Sequence, residues 1–275
     1  MNKKVIKIYD TAFAHVPYCT INNVSRNIIW DRSGNINEND IVFFTDASLP
    51  MVSRINKNCI KIAWLIEPPA VQNNYSYIIN NWMQFDMILT HQENLLSISD
   101  RFRPNPMWCS WIKQENQKII EKSKNLSIIS SNKRDTIGHR LRHEIIDQIR
   151  DKVDIDLYGG GYFPIEEKSQ ALLDYRFSII VENDSSPIFF TEKLIDCLVC
   201  GVVPIYWGAS KIGDYFNING FIIINNIEDM IDILDDLTIE KYEELLPYVK
   251  ENFETARKFL TVEDYFYENY IKDII

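Results

Sequence analysis

The sequence predicts an α/β fold built as two Rossmann-like domains facing a cleft. Short β-branched runs alternate with longer stretches that carry apolar residues at helical spacing, the signature of a parallel sheet covered on both faces. The alternation occurs twice. Between its two passes lies a polar, lysine-rich stretch at residues 113–125, with the composition of a joint between domains.

In the first pass, residues 5–9, 41–44, 59–64 and 87–90 read as strands. Residues 75–85 and 92–99 read as helices between and after the last two strands. The second pass runs strand 127–130, helix 138–150, strand 153–158, helix 165–174, strand 177–182, helix 192–200 and strand 202–207. Residues 221–224 add a strand, and only helices follow. The last of them opens with Thr261-Val262-Glu263-Asp264, the spacing of a capping box. The expected division is 1–114 and 115–275, the second domain carrying the C-terminal helices.

A chain of 275 residues is long enough for two such domains. Hydrophobic residues make up 46% and charged residues 25%, a globular composition. The net charge of −10 argues against a nucleic-acid binder, because a phosphate backbone rewards a basic face. No stretch approaches the roughly 18 uninterrupted apolar residues of a membrane span. The N-terminus lacks a signal-peptide core, so the expected location is cytoplasmic, with peripheral membrane attachment left open. The five scattered cysteines fit reduced thiols, and Cys197 and Cys200 fall within what reads as a core helix.

Segment 177–208, FSIIVENDSSPIFFTEKLIDCLVCGVVPIYWG, is the richest in chemistry. An apolar strand ends in Glu182-Asn183, a polar loop follows, and Thr191 is placed to cap a helix that Gly201 terminates. A helix N-terminus at the carboxyl edge of a parallel sheet is a natural diphosphate site, and Lys193 in its first turn adds a cation. Glu192 beside it makes sense if it faces a sugar, accepting hydroxyl hydrogen bonds or supporting positive charge at the anomeric carbon. The same pair also fits a plain acidic helix start with a solvated lysine.

Lys133, Arg134, Arg140 and Arg142 crowd the start of the helix at 138–150, which matches either an anion site or an exposed basic loop. Gly159-Gly160-Gly161 ends a strand and permits close approach of a ligand or simply makes a turn. Asp154-Ile155-Asp156 spells a D-x-D, yet the alternation of aspartate with apolar residues is what a half-buried strand shows, and no metal is assigned there.

The motifs YRFSIIVEN and TEKLIDCLVCGVVPIYWGAS resemble the donor-binding signature of the α-1,3/1,4-fucosyltransferases, glycosyltransferase family 10. The glycine triplet and NGFIII at 219–224 resemble it too. The likeness is strong over 158–224, moderate over 130–142 and faint in the first 110 residues. It implies the GT-B architecture, with the acceptor in the first domain and a GDP-sugar in the second. It implies an inverting transfer of L-fucose from GDP-fucose to a glycan hydroxyl, with no cofactor required and divalent metal at most stimulatory.

By the same resemblance Glu192 and Lys193 contact the fucose and diphosphate, and Thr191, Asn183 and Gly160 help shape the donor pocket. Arg142 fits the phosphate-binding arginine best, with Arg140 as second choice. Phe189 stands where family members often carry tyrosine, which leaves another GDP-linked sugar open. The catalytic base implied is Glu67, since IKIAWLI at 60–66 runs into Glu67-Pro68-Pro69 and resembles a W-x-x-x-E-S-P pattern. A glutamate that merely ends a strand gives the same string; His15 and His91 rank below it. The likeness is to soluble bacterial or viral members, for which the acceptor classes are surface polysaccharide, lipopolysaccharide or glycoprotein glycans. A silent nucleotide- or carbohydrate-binding protein on the same scaffold is the alternative from another class.

Overall fold

A computed structural model describes residues 2–72, 74–105 and 109–274. The first pass of the chain builds a wholly parallel sheet. Its strands are β1 (Lys4–Tyr9), β2 (Ile28–Asp31), β3 (Ile41–Thr45), β4 (Ile60–Trp64), β5 (Met87–Thr90) and β6 (Phe102–Pro104). Their order across the sheet is β2-β1-β3-β4-β5-β6. Helix α1 (Tyr75–Asn81) connects β4 to β5, and α2 (Glu93–Leu96) connects β5 to β6. Every residue of the central strand β3 is buried, which its sequence IVFFT requires of a strand covered on both faces. Val42 and Phe44 enter a core with Ala63, Phe85 and Ile88 on one face. Phe43 points to the other.

The second pass contains β7 (Lys124–Ile129), α3 (Ile137–Ile149), β8 (Ile155–Tyr158), β9 (Tyr175–Val181), α4 (Glu192–Val199), β10 (Val203–Trp207) and β11 (Ile222–Ile223). Helices α5 (Ile227–Asp232) and α6 (Ile239–Ala256) follow. This sheet is also parallel, in the order β11-β10-β9-β7-β8. Ile145, Ile146 and Ile149 of α3 pack with Phe177, Ile179, Val203 and Ile205 of the sheet. Burying such side chains contributes roughly 1.5–3 kcal/mol each.

The chain divides into a unit of Met1–Met107, Ser186–Phe189 and Thr261–Ile275, and a unit of Trp108–Ser185 and Phe190–Leu260. This differs from a cut at 114/115. The lysine-rich stretch belongs to the second unit, where the buried Lys122 donates from Nζ to the carbonyls of Leu173 at 2.8 Å and Cys200 at 2.6 Å. Desolvation pushes that ammonium down to about 8.

The C-terminal helices are also split between the units. α7 (Val262–Phe266) belongs to the first, because its acidic residues bind there. Glu263 accepts from the Cys19 amide at 2.7 Å and the Trp30 indole at 2.8 Å. Asp264 accepts from the Ser25 hydroxyl at 2.7 Å and the Arg26 amide at 2.8 Å. Phe266 meets Phe43 at 5.4 Å and Trp64 at 4.8 Å between ring centroids. The capping box expected at Thr261 is therefore not made: Asp264 turns to residues 25–27, and the Thr261 hydroxyl caps nothing.

Two expected helices are shorter than their spacing implied. Residues 92–99 yield only the single turn α2. Residues 165–174 yield one 3-10 turn, Lys168–Ala171, closed by Glu167 and Gln170 in mutual capping. Strands β2 and β6 carry no alternation long enough to reveal them in the sequence.

Candidate functional site

β9 stops at Val181, and the chain continues through Glu182 and Asn183 toward α4. Glu182 is completely buried, and its carboxylate clamps the start of that helix: Oε1 accepts from the Thr191 amide at 2.8 Å and Oε2 from the Thr191 hydroxyl at 2.7 Å. Burial pushes the Glu182 carboxyl up, with Lys193, 3.8 Å away, opposing. Thr191 in turn accepts from the Lys193 backbone amide at 3.3 Å, the N-cap its position in the sequence implied. The strand end and the helix start are thus fixed to each other by one buried carboxylate.

The first turn of α4 carries charge at the lining of a cavity. Glu192 Oε1 accepts from Lys193 Nζ at 3.3 Å and from Lys168 Nζ at 3.4 Å. Burial works to raise the Glu192 carboxyl, but the two lysines outweigh it and hold it well below the ordinary range. Lys168 also donates to Asp196 Oδ2 at 3.0 Å. Asp196, one turn after Glu192, is buried and accepts from the Ser110 hydroxyl at 2.9 Å and the Trp111 amide at 2.7 Å.

α3 supplies the facing wall. Thr136 and His139 form a reciprocal cap at its N-terminus. Burial, with Arg142 adding, pushes His139 down to about 4, so its ring is neutral at physiological pH and its Nδ1 accepts from the Thr136 amide. Arg142 is 5% exposed, with Nε donating to the Val181 carbonyl at 3.0 Å and Nη2 to Asn183 Oδ1 at 2.7 Å. Gly138 is required by this packing: a Cβ there would lie 1.7 Å from the Glu182 carbonyl oxygen.

These elements enclose a cavity of about 280 Å³, lined by Arg142, Lys168, Asn183, Glu192, Lys193 and Asp196 among others. A helix N-terminus, an arginine and three lysines, Lys133, Lys168 and Lys193, converge on it, which suits a diphosphate. An ionised carboxylate sits among them, which suits a hydroxylated or partly cationic group.

Of the residues expected at a donor site, Arg142, Asn183, Glu192 and Lys193 line this cavity. Thr191 sits behind them as the cap. Arg140 is exposed and folds back onto the carbonyls of Arg134 at 3.1 Å and Asp135 at 3.3 Å, outside the cavity lining. Gly160 is exposed, and its carbonyl accepts from Asn132 Nδ2 at 3.0 Å. Within the triplet it is Gly159 that its backbone requires, with φ +103° and a Cβ position 2.1 Å from the Ser130 carbonyl oxygen. Phe189 departs furthest from expectation. It lies in the first unit, its ring 4.6 Å from that of His91. Sequence reasoning missed Lys168, which sits in a loop, and Asp196, whose only signal was its place four residues after Glu192. It quoted Glu182 without giving it a role.

In the first unit Glu67 is half-buried just past the carboxyl end of β4. Its backbone is held by Asp46, whose Oδ1 accepts from the Ile66 amide at 2.9 Å and whose Oδ2 accepts from the Glu67 amide at 3.3 Å. Asp46 has φ +34°, a conformation that few non-glycine residues adopt. Burial pushes its carboxyl up to about 7, with Glu67 and Asp10 adding. The Glu67 carbonyl accepts from the Tyr75 hydroxyl at 2.9 Å, which pairs with His91 Nε2 at 3.2 Å. His91 is thus buried structure, and His15 is exposed.

The D-x-D at 154–156 sits partly in β8, where Asp156 binds Lys124 at 3.0 Å and the Tyr175 hydroxyl. Among the described residues no group of three or more His, Cys, Asp or Glu side chains is arranged to hold a metal ion. None of the five cysteines is joined in a disulfide. No helix among the described residues is long and apolar enough to cross a membrane.

Comparison with known proteins gives concordant results. The family model described as glycosyltransferase family 10 (fucosyltransferase), C-terminal part, matches residues 119–271. The alpha-(1,3)-fucosyltransferase FucT of Helicobacter pylori is 28% identical over 110 residues, covering 39% of this chain and 22% of that protein. The matched segment is thus less than a quarter of that relative's length. The crystal structure of an alpha1,3-fucosyltransferase with GDP-fucose superposes with a TM-score of 0.53 at 17% identity, covering 85% of this chain and 81% of the other. A trehalose-6-phosphate synthase superposes with a TM-score of 0.60 at 11% identity, covering 87% and 74%. The two parallel α/β units are those of the GT-B glycosyltransferase fold. The chain belongs to glycosyltransferase family 10, the fucosyltransferases.

Proposed function

We propose that the chain is an inverting glycosyltransferase that moves L-fucose from GDP-fucose to a hydroxyl of a glycan. The observation that carries this reading is the cavity at the start of α4, where the cap, Arg142, Lys193 and an ionised Glu192 converge. The diphosphate takes the helix N-terminus, Arg142 and Lys193. Glu192 accepts from the sugar hydroxyls and supports the positive charge that grows at the anomeric carbon as its bond to the GDP oxygen breaks.

Glu67 takes the proton of the acceptor hydroxyl as that oxygen bonds to the anomeric carbon from the face opposite the leaving group. No general acid is needed, because cations stabilise the departing diphosphate, and no metal is required for the same reason. The acceptor is a surface polysaccharide, lipopolysaccharide or glycoprotein glycan, and the reaction is cytoplasmic. That the Helicobacter relative is named an alpha-(1,3)-fucosyltransferase supports the choice of sugar.

The test is transfer from GDP-fucose to a panel of oligosaccharides with and without EDTA, with the product anomer assigned by NMR. The reading expects an α-fucoside from the β-linked donor, unchanged by EDTA, and at least about a hundredfold loss in Glu67→Ala, the usual scale for a general base. A β-fucoside, or full activity in Glu67→Ala, contradicts it.

A further inference from the structure

Lys168 joins this site from an unexpected direction. It stands at the head of the 3-10 turn Lys168–Ala171, between β8 and β9, and reaches the α4 face that carries Glu192 and Asp196. Those two carboxylates are four residues apart on one helix, a spacing at which like charges repel. One ammonium separates them, at 3.4 Å from Glu192 and 3.0 Å from Asp196. Asp196 is 1% exposed and anchored by Ser110 and Trp111, so it cannot follow the lysine; the lysine is held to it. The Trp111 ring lies 5.3 Å from the same ammonium and limits its freedom further.

We propose that Lys168 is a positioning residue for the transfer: anchored by Asp196, it fixes the Glu192 carboxylate at the cavity, in the orientation and ionised form that meet the sugar. This rests on the reading of Glu192 given above. Lys168 differs in role from Lys193 and Arg142. Its partners are the two carboxylates, so it acts through Glu192 and not on the diphosphate. The other charged or titratable groups around the cavity are Lys193, Arg142, Lys133 and His139, with Glu182 bound to Thr191, and none of them bridges Glu192 to Asp196.

The test compares GDP and GDP-fucose binding by calorimetry in wild type, Lys168→Met, Lys168→Arg, Glu192→Gln and the Lys168→Met/Glu192→Gln double variant. It adds the pH profile of kcat for the same proteins. The proposal expects Lys168→Met to lose about tenfold in GDP-fucose affinity while GDP affinity stays within about twofold, a differential of one decade. It expects the acidic limb of kcat to move to higher pH in Lys168→Met and return in Lys168→Arg. It expects Lys168→Met to add nothing once Glu192 is Gln.

Should Lys168→Met fail to fold because Asp196 is left uncompensated, Lys168→Met/Asp196→Asn removes both charges and takes its place in the comparison. Equal losses for GDP and GDP-fucose, or full additivity with Glu192→Gln, overturn the proposal. A wild-type protein that does not prefer GDP-fucose to GDP overturns the underlying reading of Glu192, and the proposal with it. A wild-type preference that survives Lys168→Met overturns the proposal alone.

Discussion

Arg142 and Asn183 hold each other in the cavity lining: the guanidinium Nη2 donates to the amide oxygen at 2.7 Å while Nε donates to the Val181 carbonyl at 3.0 Å. Two of the fork's donors are therefore committed to protein, and the fork's plane is set before any ligand arrives. A pre-oriented guanidinium loses little freedom on meeting a phosphate, which is the advantage of arginine over lysine at such a position.

Arg142→Lys accordingly keeps the charge and loses the fork. GDP affinity is expected to fall about 10- to 100-fold, roughly 1.5–3 kcal/mol for a charged hydrogen-bonding group. Calorimetric titration of GDP checks this, and wild-type affinity in the variant would show that the fork is not used.

Glu182→Gln disturbs the joint between β9 and α4. Glutamine cannot accept from both the Thr191 amide and hydroxyl, since its NH₂ group then faces a donor. The expected cost is about 1–3 kcal/mol of stability, the range for a buried hydrogen-bonding group left unmatched. Donor affinity should fall with it, because the helix start is no longer held. Chemical denaturation and GDP binding on the same sample measure both effects, and an unchanged midpoint would contradict the clamp.

Asp46 makes stability depend on pH. Its carboxyl sits at about 7 in the fold against 3.8 for the ordinary side chain. The folded state therefore binds the proton more tightly. The stability it contributes is fully present below about pH 4 and is lost as pH rises through 7. A shift of this size corresponds to about 4 kcal/mol across that window as an upper bound, at 1.36 kcal/mol per pH unit. Asp46→Asn is expected to flatten the profile between pH 4 and 8 relative to wild type. Parallel profiles by urea unfolding would refute the assignment. Transfer to acceptor should also fall in this variant, since the Ile66 and Glu67 amides lose part of their clamp, while GDP binding in the second unit should not.

Glu263→Ala tests the attachment of the C-terminal segment. The buried carboxylate accepts from the Cys19 amide and the Trp30 indole through Oε1 and from the Cys19 thiol through Oε2, and alanine removes all three bonds. About 1–3 kcal/mol of stability should be lost from the first unit. Hydrogen exchange should show the loosening around residues 19 and 30, with GDP affinity retained. Uniform loosening of both units would contradict it.

The legible parts of the fold were those whose physics is local. β3, β4 and β9 announce themselves because strands buried on both faces are almost wholly apolar. α4 is marked by Thr191 before it and Gly201, at φ +67°, after it. Asn183, Glu192 and Lys193, which line the cavity, fall in one short segment that holds a strand end and a helix start, and Arg142, which lines it too, opens a second such junction at α3. What stayed hidden depends on distant partners. The pairing of Glu263 with Cys19, the place of Phe189 against His91, and the bridge from Lys168 to α4 each join residues far apart in sequence. Thr261 through Asp264 spelled a capping box, but the carboxylate found better donors at residues 25–27.

The most direct test of the central claim is calorimetric titration of GDP-fucose, GDP-mannose and GDP, without added metal, into wild type and Glu192→Ala. GDP-fucose should bind more tightly than the other two, and that margin should vanish in Glu192→Ala while GDP binding remains. Equal binding of all three ligands, unchanged by the substitution, would leave a GDP pocket and contradict a fucose-transfer site built on Glu192.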